Sequence, residues 1–442
     1  MNASRLFVVA AAAVLAAANR LPAWAAPDEQ FIPANYSAQG PSAAVASRMA
    51  AGMLDYLDML NRRDGGVRGV RFTWEKCDTR PDGSRVMECY ELARNHRPSA
   101  TLVHPLTTAA TYALIERATA DRVPLVSVGY GRADSADGRV FPYVFPLLST
   151  AWAQSAAIVR YLGMRAGGND KLRGKRIVLL YSDSADGKDA IPVLSALAAR
   201  YGYTLSTLAV PVPGSEQHEQ WLKIREIRPD WIIVCGSQAM AQAALENAAS
   251  AGFPRSRIVA GEAAGAAGPL AGAAAQGLVA AAFTLPGDDF PVIREIRRRV
   301  YDAGGGELRE PAEIGSLHYN RGVAFGILTA EAVRVAQAHF NPGKTITPQQ
   351  AQWGLEHLNL DEARLEALGA KGLMPPVQTS CVDHEGSGSM RFMRWDGKRW
   401  RAVTDWLAPH PDDRPTVRRM YAESAAAYAK GKGIEIRNCH AG

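Results

Sequence analysis

The sequence predicts an α/β protein built from two similar lobes, each a parallel sheet covered by helices. Three observations lead there. Apolar runs of four to seven residues recur along the middle of the chain, the pattern of strands buried on both faces. Helical stretches with one apolar stripe separate them, as in residues 188–201, where Ile191, Leu194, Leu197 and Ala198 share a face. The alternation occurs twice, from about residue 30 to 145 and from about 175 to 283, on either side of the glycine-rich, charged stretch "GMRAGGNDKLRGK" (163–175).

Taken in order, the chain begins with Arg5 and an apolar run from Leu6 to Ala18, too short to span a bilayer. Ala23-Trp24-Ala25 is a small-x-small cleavage site, so residues 1–25 are expected to be a secretory signal peptide. No cysteine lies there to carry a lipid anchor, and no later stretch reads as a membrane span. The mature chain is expected to be soluble and periplasmic. Its removal of Arg5 and Arg20, with no acid, takes the formal charge from +6 to +4. The remaining charges are scattered. The one basic cluster, "IREIRRR" (293–299), reads as a solvated helix face, so nucleic acid is not an expected partner. With 442 residues, 47% hydrophobic and 21% charged, the chain can bury the cores of two or three domains.

The predicted strands are "VRFTWEKC" (70–77), "ATLV" (100–103), "VPLVSV" (123–128), "RIVLLYS" (176–182), "YTLSTLAV" (203–210), "WIIVC" (231–235), "RIVAGE" (257–262) and "GLVAAAF" (277–283). Pro33 interrupts the first strand of the opening segment "QFIPANYSAQGPSAA". The alanine-rich 263–275 reads as a small-residue helix and 288–340 as mostly helical. "MRFMRWDGKRWRAV" (390–403) reads as a hairpin turning at Asp396-Gly397, followed by a helical tail over 413–430.

Five cysteines in an exported protein call for pairing. Cys77 closes a predicted strand and Cys89 lies in the helix that follows; a second pair, Cys381–Cys439, would tie the tail to the body. Loop-closure entropy puts the two at about 3 and about 4 kcal/mol. Cys235 is left as a buried free thiol. No Cys-x-x-Cys or His-x-x-x-His spacing suggests a metal, and no cofactor motif is found.

Ligands of parallel α/β sheets sit at the carboxyl ends of the strands. The residues found there are Thr107-Thr108, Gly129 to Arg132, Asp183 to Gly187, Ser237-Gln238 and Glu262-Ala263. Two lobes presenting such ends to each other form a cleft. No Gly-x-Ser-x-Gly elbow, Walker loop or Ser/His/Asp spacing points to an enzyme, and His318 and His384 read as structural. The hydroxyls of "HPLTT" (104–108) allow two readings: capping of the next helix, or an anion cradle at its N-terminus.

Several stretches together resemble the solute-binding proteins of branched-chain amino acid ABC importers. They are "PSATLVHPLTTAATYALIERATADRVPLVSVG", "GKRIVLLYSDSADGKD", "IREIRPDWIIVCGS", "GPLAGAAAQGLVAAAF" and "TSCVDHEGSGSMRFMRWDGKRW", and the similarity spans roughly 45 to 405. The resemblance implies the type I periplasmic binding protein fold, two Rossmann-like lobes joined by a three-segment hinge near 147–153, 281–286 and 375–382. Lobe one would hold 27–148 and 285–376; lobe two 153–281 and 380–410, with 411–442 as tail. It implies a monomer that takes a small solute into the cleft, closes, and delivers it to an inner-membrane permease. A ligand sensor that presents its closed form to a signalling receptor is the alternative.

Carried over to this chain, Thr107, Thr108, Gly129 and Tyr130 match the places that hold a ligand carboxylate. Glu262 matches an acid used for the ammonium, and Gln238 follows another lobe-two strand. Asp186 stands where an aromatic is common, Arg132 follows Tyr130, and Ser37 and Gln39 occupy the first ligand loop. An Asp and an Arg suit a polar ligand or each other across the cleft, so leucine, isoleucine and valine are not the expected ligands.

Overall fold

Because Pro33 has no N–H to give a ladder, the first strand forms as two pieces, Glu29–Phe31 and Ala34–Tyr36. Their neighbours Arg71–Thr73 and Lys76–Asp78 run parallel, with Gln30 opposite Phe72 and Asn35 opposite Cys77. On the other side, the Thr101 N–H donates to Phe31 O at 3.0 Å and the Val126 N–H to Val103 O at 2.9 Å. Leu125–Val128 then pairs in parallel with Val144–Leu147. The computed structural model describes residues 28–40, 43–262 and 275–439. The signal-peptide reading, Ala263, and all of the alanine-rich stretch but Ala275 fall outside these residues.

The first sheet thus runs 71–78, 29–36, 101–103, 125–128, 144–147. The second runs Thr204–Val210, Arg176–Ser182, Trp231–Cys235, Ile258–Ala260, Val279–Ala282, then Arg391–Trp395 and Trp400–Ala402. Its first five strands are parallel and the last two antiparallel. Counted along the chain, both sheets have the strand order 2-1-3-4-5, so each has a crevice where that order reverses.

Two strand predictions are corrected. "VRFTWEKC" is broken at Trp74-Glu75, and "ATLV" contributes only a bridge from Val103 to Leu125. Val144–Leu147 is a strand the pattern did not predict, since Pro146 reads against one. It lies at the sheet's edge, where a missing N–H costs no ladder bond.

Two helices fill the space beside the first sheet, Ala43–Asp64 and Leu317–His339. They touch backbone to backbone: a Cβ on Gly52 would overlap Tyr319 O, and one on Gly322 would overlap Met49 O. Helix 317–339 is buried on nearly all sides, which explains its lack of a polar face. The cluster "IREIRRR" is indeed a solvated surface, with Arg63 and Arg299 meeting Glu295 at 3.0 and 2.9 Å.

Both expected disulfides are formed, Cys77–Cys89 and Cys381–Cys439, each with a Cα–Cα distance of 5.7 Å. Cys235 is free but only partly covered, not fully buried, because it is the last residue of its strand and opens toward the strand ends. Burial of the sulfur itself pushes the thiol up to about 12.

Three stretches meet where the chain passes between the two sheets. Leu148 N–H donates to Glu385 O at 3.0 Å, Gly388 N–H to Leu148 O at 2.9 Å, and Leu285 N–H to Leu373 O at 2.9 Å. The hairpin turns at Asp396, whose Oδ1 accepts from the N–H groups of Lys398 and Arg399 at 2.9 Å each. The tail helix Arg414–Lys432 then crosses the molecule. At its start, buried Asp413 accepts from Tyr201 OH at 2.7 Å. Midway, Tyr421 stacks on Trp152 with ring centroids 5.3 Å apart. Near its end, Ser424 donates to Asp134 at 2.8 Å and Tyr428 lies under the Arg132 guanidinium at 4.3 Å.

Candidate functional site

The loop that follows the third strand is held by a histidine with no charge to offer. His104 is fully buried, its Nδ1 at 3.1 Å from Val126 O and its Nε2 at 2.9 Å from Thr329 Oγ1. Burial pulls its pKa down to about 3, so it is neutral and serves as a spacer between strand and helix. Thr107 is the N-cap of helix Thr108–Asp121, its hydroxyl oxygen accepting from the Ala110 N–H at 3.1 Å. Thr108 Oγ1 accepts from the Gly131 N–H at 3.4 Å, and the Asp186 carboxyl lies near enough for the Thr108 hydroxyl to lower its pKa. Both hydroxyls therefore have partners within the protein.

The next strand end carries Gly129 and Tyr130. Gly129 has φ of 80°, and a Cβ there would overlap the Phe283 ring. Phe283 in turn underlies the guanidinium of Arg321, 4.8 Å from ring centroid to Cζ. Arg321 sits early in helix 317–339, where the Gly52 and Gly322 contacts fix the backbone, and it is buried at 6% exposure. Its neighbour Asn320 donates to Leu285 O at 2.8 Å and Gly287 O at 2.9 Å, pinning the chain just past Phe283.

Arg321 Nη2 stands against Glu262 Oε1 as an ion pair across the cleft. Arg321 Nε and the buried Tyr130 hydroxyl have no hydrogen-bond partner among the described residues. Burial draws the Arg321 pKa down to about 10, which leaves it protonated at neutral pH. A charged group this deep, with donors in hand, is suited to an anion.

From the second sheet, the loop after Ser182 turns into the short helix Ala185–Lys188, capped by Ser184. Loss of solvent raises the Asp186 carboxyl above the usual value, against the bond from Thr108. Asp189 is pushed up to about 7 by burial and then by Asp134, against a bond from the Ala133 N–H. One ion pair, Glu262 with Arg321, thus links the two sets of strand ends, and Asp186 and Asp189 lie close to Thr108 and Ala133.

The sequence-derived residues divide accordingly. Tyr130, Gly129, Thr108, Asp186 and Glu262 come together in this cleft. Arg132 does not join them: its guanidinium is bidentate on Asp134 at 2.6 and 2.7 Å and lies over the rings of Phe141 and Tyr428. The cross-cleft pairing of Arg132 with Asp186 is therefore not formed. Ser37 donates to Gln39 O at 2.7 Å, and the Ala38 N–H reaches Asp78 at 3.1 Å, so that loop is tied to 78–81. Gln238 opens helix Gln238–Ser250, which Ser237 caps. Arg321, Phe283 and Asp189 were missed. The signal for Arg321 was there: a single cation within "NRGVAFGILTA", a stretch otherwise free of charge.

A sequence profile described as Periplasmic binding protein matches residues 29–399. The chain belongs to the periplasmic binding protein family. Its fold is that of the type I, branched-chain amino acid-binding members, and the family is one of solute-binding proteins. Among solved structures, a Pseudomonas fluorescens group protein described as an ABC transporter permease is 38% identical, with a TM-score of 0.88, covering 94% of this chain and 100% of that one. A branched-chain amino acid ABC transporter protein from Thermus thermophilus with bound valine is 18% identical, with a TM-score of 0.72 over 88% of this chain and 99% of that one. An R. palustris ABC transporter solute-binding protein in complex with benzoate is 16% identical, with a TM-score of 0.60 over 87% and 97%. No curated protein matches the chain. Among the described residues, no helix is long and apolar enough to cross a membrane.

Proposed function

We propose that this periplasmic binding protein is the solute receptor of an ABC importer. It takes a small carboxylate or amino-acid-like ligand into the cleft between lobe one (27–148 and 285–376) and lobe two (153–281 and 380–410). Rotation at the crossings near 148, 285 and 385 closes the lobes, and the closed form meets a permease in the inner membrane. The observation that carries this reading is the buried Arg321 guanidinium. It lies on the Phe283 ring beside the Tyr130 hydroxyl and faces Glu262 from the other set of strand ends.

Fold neighbours with bound valine and bound benzoate support it, since both ligands are small carboxylates. Among the described residues, nothing at these strand ends has the arrangement of a nucleophile with its base, so ligand is expected to leave chemically unchanged. The test is a thermal-shift screen of amino acids, amides and carboxylic acids on the ligand-stripped mature protein. A ligand at about 100 times its dissociation constant stabilises by roughly 2.7 kcal/mol. A screen in which no small molecule stabilises the protein, or in which the recovered ligand is altered, removes the reading.

A further inference from the structure

We propose that Arg321 is the carboxylate seat of the cleft and that Glu262 is its resident placeholder, so that ligand binding is an exchange of one carboxylate for another. This rests on the receptor reading above and names the chemistry of its site: a ligand bearing a small, unhindered carboxylate.

Four observations lead to it. Arg321 is buried beside an aromatic ring, where an unpaired charge is expensive. Glu262, at the opposite strand end and itself buried, supplies the compensating charge. The fit is incomplete: Glu262 meets Nη2, but Nε and the Tyr130 hydroxyl lack acceptors among the described residues. The tethered carboxylate neutralises the guanidinium while leaving its Nε donor unused. A free carboxylate, with two oxygens and no tether, can take a bidentate position on the guanidinium. Finally, Thr107 Oγ1 accepts from the Ala110 N–H and Thr108 Oγ1 from the Gly131 N–H, so two N–H groups that could hold an anion at this helix start are already spent.

The exchange has a consequence for selectivity. A simple carboxylic acid must displace Glu262 and leave it without its cation. A ligand that also carries an ammonium group gives Glu262 a new partner. Glu262 therefore acts against plain carboxylates, which is a direction opposite to that of an ordinary binding residue. Removing it should tighten them.

Formate tests this directly, because it is the smallest carboxylate and carries no side chain for the site to exclude. Thermal shift is followed against formate concentration, with chloride at matched ionic strength as control, in wild type, Glu262→Gln, Glu262→Ser, and Glu262→Gln combined with Arg321→Met. Both single variants should be stabilised by formate with an apparent affinity about tenfold or more tighter than wild type, since no internal carboxylate must be displaced first. If a single variant folds poorly alone, recovery of its melting transition by formate is the same result. The double variant should show no formate response beyond chloride.

Equal responses in wild type and the single variants overturn the exchange, as does the lack of any response. A response that survives Arg321→Met overturns the seat. Failure here is separable from failure of the receptor reading. A screen ligand that binds wild type and Glu262→Gln equally removes only the exchange. An Arg321-dependent formate response without any organic ligand in the screen removes only the receptor.

Discussion

Two places beside the first sheet offer donors to an anion, and they differ in kind. One is the helix start at Thr107-Thr108, with hydroxyls and N–H groups near solvent. The other is Arg321, a buried guanidinium in helix 317–339. At the first, the protein consumes its own N–H donors: that of Ala110 goes to Thr107 Oγ1 and that of Gly131 to Thr108 Oγ1. At the second, burial is deep and satisfaction is partial. The comparison teaches that residue type alone does not mark a binding group. What marks it is a polar group removed from water and not repaid by a good internal bond.

Replacing Arg321 by Met should break the comparison most visibly. Ligand affinity should fall by about 2–5 kcal/mol, the range for truncating one partner of a buried charge pair. Titration calorimetry with a ligand from the screen measures it, and unchanged affinity would return the anion to Thr107-Thr108. Moving the seat without removing it gives the next effect. Gly322→Ala places a methyl against Met49 O, so it should destabilise by about 1–3 kcal/mol and weaken the ligand. Denaturant unfolding alongside calorimetry separates the two consequences, and a variant as stable as wild type would show that the helices can part at no cost.

A buried carboxyl remote from both donor sites provides a control. Glu385 is raised to about 7, chiefly by burial and then by Asp383, while its Oε1 accepts from the Thr150 N–H at 2.7 Å. The folded state therefore holds its proton at a pH where the unfolded chain has released it. Between the ordinary glutamate value and about 7 the native state binds more protons than the unfolded state, so stability falls as pH rises through that window. Glu385→Gln keeps the acceptor and removes the titration. It should raise stability at pH 8 by on the order of 2 kcal/mol and flatten the slope. Parallel melting-temperature profiles from pH 5 to about pH 8 for variant and wild type would reject the assignment.

The smallest effect should come from the other half of the comparison. Thr107→Val removes an N-cap, costing about 1 kcal/mol of stability. Affinity should not move. An affinity loss larger than the stability loss would show the hydroxyl touching ligand after all.

The architecture was readable because buried parallel strands leave uninterrupted apolar runs. "RIVLLYS" and "WIIVC" coincide with Arg176–Ser182 and Trp231–Cys235 to the residue. Edge conditions were harder to read. Pro146 concealed Val144–Leu147, because composition does not say on which side a strand has a neighbour. The disulfides followed from cysteine count and placement. The cleft was half legible. Residues at strand ends, such as Tyr130, Asp186 and Glu262, are located by topology alone. Arg321 is not at a strand end; it enters from a helix far along the chain, and only the packing of Gly52 against Gly322 delivers it. Arg132 misled for the reverse reason. It is at a strand end, but its partner Asp134 is two residues away and the tail helix covers both.

The tail helix has a mechanical meaning. Its 19 residues form a rod about 28 Å long. One end is anchored at Tyr201 beside the second sheet, and the other lies on Asp134 and Arg132 beside the first. The Cys381–Cys439 bond fastens the chain beyond it. A rod held along its length resists being stretched. It acts as a tie: any motion that spreads its anchors must tear one loose.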